Sequence, residues 1–247
     1  MMENKEYTFD AQAVLNEILA QMAKYKTDTA CKGVVLGMSG GKDSTTVAML
    51  AKKVFGDDVF ALLLPNGVQK DISDSESAAQ IIGVRYATVN IGPAVEAVLK
   101  NPALPVEKPA ALNVPPRVRM LTLYAAAQTR GWRVVGTGNL SEAYTGWFTK
   151  YGDGGYDFNP IGNLTKTEVV AIGSLLAREF NLDVKRYIDK LPADGLTDKS
   201  DEENFGFTYA TLDNYIRTGL CEDKRIRDKI DAMHAASQHK REMPTVF

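Results

Sequence analysis

The chain has 247 residues, of which 45% are hydrophobic and 24% charged, and its formal net charge is −2. This length and composition suit one large α/β domain or two small ones, and the lack of a basic excess argues against a nucleic-acid partner. No stretch approaches the roughly 18 apolar residues of a membrane span, and no apolar secretion signal follows the first Met. Because Cys31 and Cys221 lack metal-ligand partners, we expect reduced thiols in a cytoplasmic protein with no membrane partner.

Hydrophobic patterns predict helices and strands that alternate along the chain. The predicted strands lie at residues 33–37, 59–64, 84–91 and 132–136. The predicted helices lie near residues 14–22, 47–54, 71–82, 117–129, 165–180, 208–217 and 222–238. Two segments have loop composition: 150–164 is rich in Gly, and 191–206 is polar and predicts a lid or a disordered loop.

This alternation predicts a Rossmann-like α/β fold, in which helices flank one parallel sheet through right-handed crossovers. No second sheet pattern is present, so residues 1–247 are expected to form one domain with helical additions. Ligands of such folds bind at the carboxyl ends of the strands. The motifs that follow predicted strands are therefore candidates for a shared site.

The most informative motif is Ser39-Gly40-Gly41-Lys42-Asp43-Ser44, a glycine-rich turn between a predicted strand and a predicted helix. Such a turn directs backbone N–H groups and the positive end of a helix toward phosphate. It is not a Walker A loop, and it has no dinucleotide fingerprint. The carboxylate of Asp43 suits a site in which Mg²⁺ lies between protein and ATP. Ser-Gly-Gly-x-Asp-Ser resembles the PP-loop of N-type ATP pyrophosphatases, which cleave ATP between its α and β phosphates.

Four further segments carry candidate chemistry. Arg117 and Arg119 begin a predicted helix. Cations are unfavourable at this positive end of the helix dipole, but they could form an anion site there. Thr137 and Glu142 follow a strand in Gly-Thr-Gly-Asn-Leu-Ser-Glu, and they offer a hydroxyl and a hard oxygen ligand. The loop at 148–157 combines glycines with Lys and Asp, and a His-Lys-Arg run lies near the C-terminus. Each has an ordinary alternative: surface arginines, a helix-start acid, a flexible loop and a solvated tail.

Together these segments resemble the ammonia-dependent NAD synthetase family, whose fold is adenine nucleotide alpha hydrolase-like. The resemblance rests on the PP-loop, on Gly-Thr-Gly-Asn-x-x-Glu, on Thr-Lys-Tyr-Gly-Asp-Gly-Gly at 149–155 and on Leu-Thr-Lys at 164–166. It covers nearly the whole chain. One departure is Ala193, because the family commonly has Ser or Thr at this ATP contact.

The resemblance implies a role for each matching position. The implied ATP-binding residues are Gly37, Met38, Ser39, Gly40, Gly41, Lys42, Asp43, Ser44, Gln69, Thr137 and Lys166. The implied deamido-NAD-binding residues are Arg117, Lys150, Asp157, His239 and Lys240. Asp43 and Glu142 would hold Mg²⁺, and Asp43 and Lys166 would act in catalysis.

The implied reaction amidates deamido-NAD with ATP and ammonia through an acyl-adenylate, and it releases AMP and pyrophosphate. The resemblance also implies a homodimer, and the chain has no room for a glutaminase domain. Two alternatives remain at this stage. One is another PP-loop enzyme, either tRNA-modifying or similar to GMP synthetase, and the other is a nucleotide sensor without catalysis.

Overall fold

The computed structural model describes residues 7–69, 72–189 and 200–247. Within them, a parallel sheet contains the strands β1 (Val34–Gly37), β2 (Val59–Leu63), β3 (Arg85–Thr88) and β4 (Arg133–Val134) in the order β3-β2-β1-β4. Every pairing is parallel, and Val34 pairs with both Val59 and Arg133. The sheet confirms the predicted α/β fold and places all the carboxyl ends at one edge.

Helices precede, connect and follow the strands. They are α1 (Ala11–Asp28), α2 (Lys42–Phe55), α3 (Ile72–Ile82), α4 (Gly92–Leu99), α5 (Lys108–Ala111), α6 (Val114–Arg130), α7 (Leu140–Thr145), α8 (Lys166–Glu179), α9 (Val184–Tyr187), α10 (Asp201–Phe205), α11 (Tyr209–Thr218), α12 (Lys224–Ala236) and α13 (Gln238–Arg241). None of the helices in these described ranges is long and apolar enough to cross a membrane.

The two faces of the sheet are covered by different helices, because successive side chains of a strand point to opposite faces. Val34 and Leu36 belong to a core shared with α1, α2, α3 and α8. Val35 belongs to a second core shared with α4 and α6. Helices that reach the carboxyl edge therefore approach a ligand there from two sides.

A third hydrophobic cluster lies outside the sheet, where α11 and α12 pack against α7. Its buried members are Phe205, Phe207, Tyr209, Leu212 and Ile230. α11 also contacts α8, so the late helices brace both elements that follow β4.

The structure differs from the sequence-based prediction at the polar loop 191–206. Residues 191–199 lie outside the described residues, as does Ala193, but α10 forms within the remainder. Ser200 and Glu203 make a capping box, and Phe205 is buried in the third cluster. The loop prediction is wrong for this part because one buried aromatic residue and one cap stabilise a short helix among charged neighbours.

Candidate active site

The phosphate-binding turn has the expected geometry. β1 ends at Gly37, and α2 begins at Lys42 without a side-chain cap on its first turn. Gly40 has a φ of +77°, and a Cβ there would lie 2.6 Å from Ser75 Oγ, so this position requires glycine. Ser44 Oγ lies 3.3 Å from the Ser39 nitrogen and 3.1 Å from the Gly41 carbonyl, and both contacts close the turn. The first N–H groups of α2 therefore face the carboxyl edge, an arrangement that suits an anion.

Two carboxylates converge on one ammonium group beside this turn. Lys166 Nζ lies 2.7 Å from Asp43 Oδ2 and 2.9 Å from Glu142 Oε1, and the lysine is 5% exposed. Asn139 donates from Nδ2 to Asp43 Oδ1 at 3.3 Å. Its backbone nitrogen and side-chain oxygen also form a capping box with Glu142. Residues after β1, after β4 and at the start of α8 thus form one cluster.

Burial and neighbouring charges shift the pKa of Glu142 and of Lys166 in this cluster. Burial, together with the nearby charge of Asp43, raises the pKa of Glu142 to about 7, although Lys166 acts in the opposite direction. Burial alone would lower the pKa of Lys166, but the two carboxylates raise it, so this lysine stays charged. Both carboxylates are hard oxygen ligands, so the donor set fits Mg²⁺.

Lys42 adds a second buried cation next to the turn. Burial lowers the pKa of its ammonium group, and the nearby charge of Lys166 lowers it further, while Asp43 opposes both effects. Of the other two residues implied in ATP binding, Thr137 follows β4 and Gln69 lies in the loop after β2. Both are therefore at the carboxyl edge with the PP-loop.

The position of Lys166 depends on Ser141 and Asp213, which the sequence did not single out. Ser141 Oγ accepts from the Lys166 backbone nitrogen at 2.9 Å and donates to Asp213 Oδ1. Asp213 Oδ2 accepts from the Thr167 nitrogen at 2.8 Å. This buried carboxylate of α11 therefore joins the first turn of α7 to that of α8. No local motif marks it, because its partners are distant in sequence.

Aromatic side chains border the cluster on the side of the late helices. The Tyr209 ring centroid lies 5.2 Å from Lys166 Nζ. The Tyr209 hydroxyl donates to Asp201 Oδ2 at 2.9 Å, and Trp147 Nε1 donates to Asp201 Oδ1 at 3.2 Å. Burial raises the pKa of Tyr209, with Glu142 and Asp201 adding to the effect, so the phenol stays protonated.

Four of the residues implied in deamido-NAD binding lie together. Arg117 Nε donates to the Lys150 carbonyl at 3.4 Å, and Lys150 Nζ donates to the His239 carbonyl. Lys240 Nζ donates to the Gly146 and Phe148 carbonyls at 2.8 and 2.7 Å. We name Arg117, Lys150, His239 and Lys240 the cationic cluster.

The interpretation of the C-terminal run as a solvated tail is wrong. Besides the contacts of Lys240, the guanidinium of Arg241 donates to the Ala143 carbonyl at 3.0 Å and to the His234 carbonyl at 2.6 Å. These bonds attach α13 to the ends of α7 and α12.

Asp157, the fifth implied residue, occupies a different place. Its Oδ2 accepts from the Val134 nitrogen at 2.7 Å, and its Oδ1 lies 3.5 Å from the Tyr124 hydroxyl. The next residue, Phe158, forms a parallel bridge with Val135. Asp157 is therefore attached to β4, and no hydrogen bond or ion pair among the described residues joins it to the cationic cluster.

Comparisons with known proteins agree with this geometry. A family model described as NAD synthase matches residues 14–244. An NH3-dependent NAD+ synthetase of Archaeoglobus fulgidus is 42% identical over 224 residues, which cover 87% of each chain. Another from Finegoldia magna is 38% identical over 238 residues, 95% of this chain and 96% of that one.

A solved structure, the NMN synthetase of Francisella tularensis, has a TM-score of 0.88 at 31% identity, and the match covers 97% of this chain and 99% of that one. The resemblance inferred from the motifs is thereby confirmed. On the evidence of the matched residues, the relatives and the shared fold, the chain belongs to the NAD synthase family.

Proposed function

We propose that the protein is an ATP-dependent ligase that amidates the nicotinate carboxylate of deamido-NAD with ammonia, giving NAD, AMP and pyrophosphate. The observation that carries the proposal is the convergence of Asp43, Glu142 and Lys166 beside an uncapped helix start at the carboxyl edge. The relatives named NH3-dependent NAD+ synthetases support the same activity. A nucleotide sensor would not need this arrangement of opposed charges.

The PP-loop side would hold the nucleotide. The N–H groups at the start of α2 would bind the β and γ phosphates, and Lys166 would add positive charge where the pyrophosphate leaves. Asp43 and Glu142 would hold Mg²⁺, which neutralises phosphate charge when bound. Gln69 and Thr137 would contact the remainder of ATP.

The cationic cluster would hold the phosphates of the acid substrate, and Asp157 would contact an uncharged part of the same substrate at a separate point. In the first step the carboxylate oxygen attacks the α-phosphorus of ATP, and the bond to pyrophosphate breaks. In the second step ammonia attacks the acyl carbon, AMP leaves with the electron pair of the C–O bond, and the nitrogen loses a proton to solvent. Neither step needs a covalent enzyme nucleophile, so the residues act by position and charge.

The similarity to an NMN synthetase favours a second candidate substrate. That structure matches nearly the full length of this chain, so the same chemistry on a smaller acid, nicotinate mononucleotide, is the competing proposal. The two acids share the reacting carboxylate and differ in the adenylyl half. Equimolar competition with both acids, with NAD and NMN separated by chromatography, decides between them.

The test of the function is an assay with ATP, Mg²⁺, ammonium and deamido-NAD, followed by quantification of NAD, AMP and pyrophosphate. All three products should appear in equal amounts, and omission of any one reactant should stop the reaction. Release of ADP and phosphate would contradict the proposed cleavage of ATP. Failure with both acids would contradict the ligase proposal.

Ammonium is expected to support turnover, and glutamine is not. Glutamine hydrolysis needs an activated nucleophile, and the two thiols offer none among the described residues: Cys31 is buried with its pKa raised by burial, and the hydrogen bond of Cys221 goes to a backbone carbonyl. The rate should rise toward alkaline pH because NH3 attacks and NH4⁺ cannot. The check is a comparison of both nitrogen sources in ammonia-free buffer, followed by a pH series. Efficient use of glutamine by the purified chain would contradict the prediction.

We also propose a cytoplasmic homodimer of one-domain chains that associate through the outer face of α6. Leu121 on this helix is 65% exposed, whereas Leu123 and Tyr124 pack against the second core. We expect sedimentation at micromolar concentration to give a dimer, and Leu121→Glu to shift it toward monomer. Leu220→Glu, at a residue 51% exposed outside α6, is the control. A monomeric wild-type protein would contradict the prediction.

A further inference from the structure

Arg119 is a partly buried cation at the carboxyl edge that has no role in the site described so far. Its Nε donates to the carbonyl of Leu64, the residue after β2, at 3.0 Å. Within residues 7–69, 72–189 and 200–247, its two Nη groups have no hydrogen-bond or ion-pair partner. The negative charge of Asp153 acts on the guanidinium, but the Asp153 carboxylate accepts its hydrogen bond from the Thr149 nitrogen. The forked end of the guanidinium is therefore available to a ligand.

The position of Arg119 follows from the contacts of α6. One turn later on the same face, Leu123 lies 3.5 Å from the point that a Cβ of Gly37 would occupy, so this face lies over the end of β1. Because α6 leads into the start of β4, its N-terminal end is at the carboxyl edge. Arg119 is thus about 6 Å beyond Leu123 along the helix, toward the PP-loop.

Arg119 approaches this edge from the face opposite to Lys166. α2 and α8 pack on one face of the sheet, and α6 packs on the other. Arg117, two residues earlier, points elsewhere and contacts the loop that carries Lys150. The two arginines at the start of α6 therefore serve different parts of the site.

We infer that Arg119 binds the α-phosphate of ATP, and later the phosphate of the acyl-adenylate and of AMP. The inference rests on the proposed function and adds a residue to it. Arg119 lies between the PP-loop, which takes the terminal phosphates, and the loop after β2, where Gln69 would contact the nucleoside. A phosphate between those two places is the α-phosphate. The planar fork of an arginine matches two phosphate oxygens at once.

Calorimetric titration of the full chain with AMP, and separately with Mg²⁺-pyrophosphate, tests this role. Arg119→Met should weaken AMP binding roughly tenfold or more, which corresponds to about 1.4 kcal/mol, and leave pyrophosphate binding within about twofold. Arg119→Lys keeps the charge but not the fork and should lie between. Arg130→Met, at the far end of the same helix, is the matched control. The apparent KM for ATP should rise more than that for the acid.

The outcomes separate the inference from the proposed function. An AMP affinity of Arg119→Met within twofold of the wild type overturns the inference alone, whatever the change in the apparent KM for the acid substrate. If Arg119→Met does not fold, Arg119→Lys decides: unchanged AMP binding overturns the inference, and a selective loss supports it. A wild-type protein that binds neither AMP nor pyrophosphate overturns the proposed function as well.

Discussion

Replacing Glu142 by glutamine, or Asp43 by asparagine, is expected to reduce turnover by roughly a thousandfold or more while the fold persists. Each change removes one of the two carboxylates that share Lys166, and with it one of the two ligands proposed for Mg²⁺. Steady-state NAD formation across a Mg²⁺ series measures the loss. Added Mg²⁺ should not restore the rate, because the charged ligand itself is missing.

The matched control for this pair is Glu96→Gln, which breaks an exposed ion pair with Lys100 and should leave the rate unchanged. Retention of most Mg²⁺-dependent activity by either site variant would contradict the metal assignment.

The difference in stability between Glu142→Gln and the wild type should depend on pH in a defined direction. The folded-state pKa of Glu142 is raised from 4.5 to about 7, so the native state holds this proton more tightly than the unfolded chain does. The protonated side chain contributes its full stabilisation when the pH is below the pKa of Glu142 in the unfolded chain. This stabilisation is lost as the pH rises through the pKa of Glu142 in the folded protein. At pH above about 7 the neutral glutamine should therefore match or exceed the wild type, by on the order of 1 kcal/mol.

Urea unfolding of both proteins at pH 5 and at pH 8 measures this difference. The advantage of glutamine over glutamate should be larger at pH 8. A larger advantage at pH 5 would mean that Glu142 is stabilised as a carboxylate in the free protein.

Replacing Lys166 by methionine is expected to reduce turnover by roughly a hundredfold to a thousandfold. The ammonium is the buried cation that contacts both carboxylates, and ATP would bring further negative charge to the same place. Without it the pyrophosphate leaves against uncompensated repulsion. Single-turnover release of pyrophosphate in the absence of ammonia isolates the first step, and that step should carry most of the loss.

Lys166→Arg tests geometry separately from charge. It keeps the positive charge but cannot place one compact ammonium between Asp43 and Glu142, so we expect only partial recovery. Lys100→Met removes an exposed lysine of an ion pair and serves as the control. Equal first-step rates in Lys166→Met and the wild type would show that Lys166 is structural.

The sequence by itself determined the phosphate-binding turn, the parallel fold and the family. A turn of six consecutive residues encodes its own backbone geometry, because Gly40 must adopt a positive φ and the serines close the loop locally. The two central strands can also be recognised locally, since burial on both faces makes β1 and β2 continuous apolar runs. These features need no knowledge of which distant segments meet.

Only the tertiary structure decided which side chains share the site and in what direction they point. Lys166 reaches Asp43 across 123 residues of chain, and Ser141 reaches Asp213 across 72. No local pattern specifies such pairs, because they depend on how α7, α8 and α11 pack. The two arginines at the start of α6 look alike in the sequence, but helical positions two residues apart point to different sides, and of this pair only Arg119 faces the sheet edge.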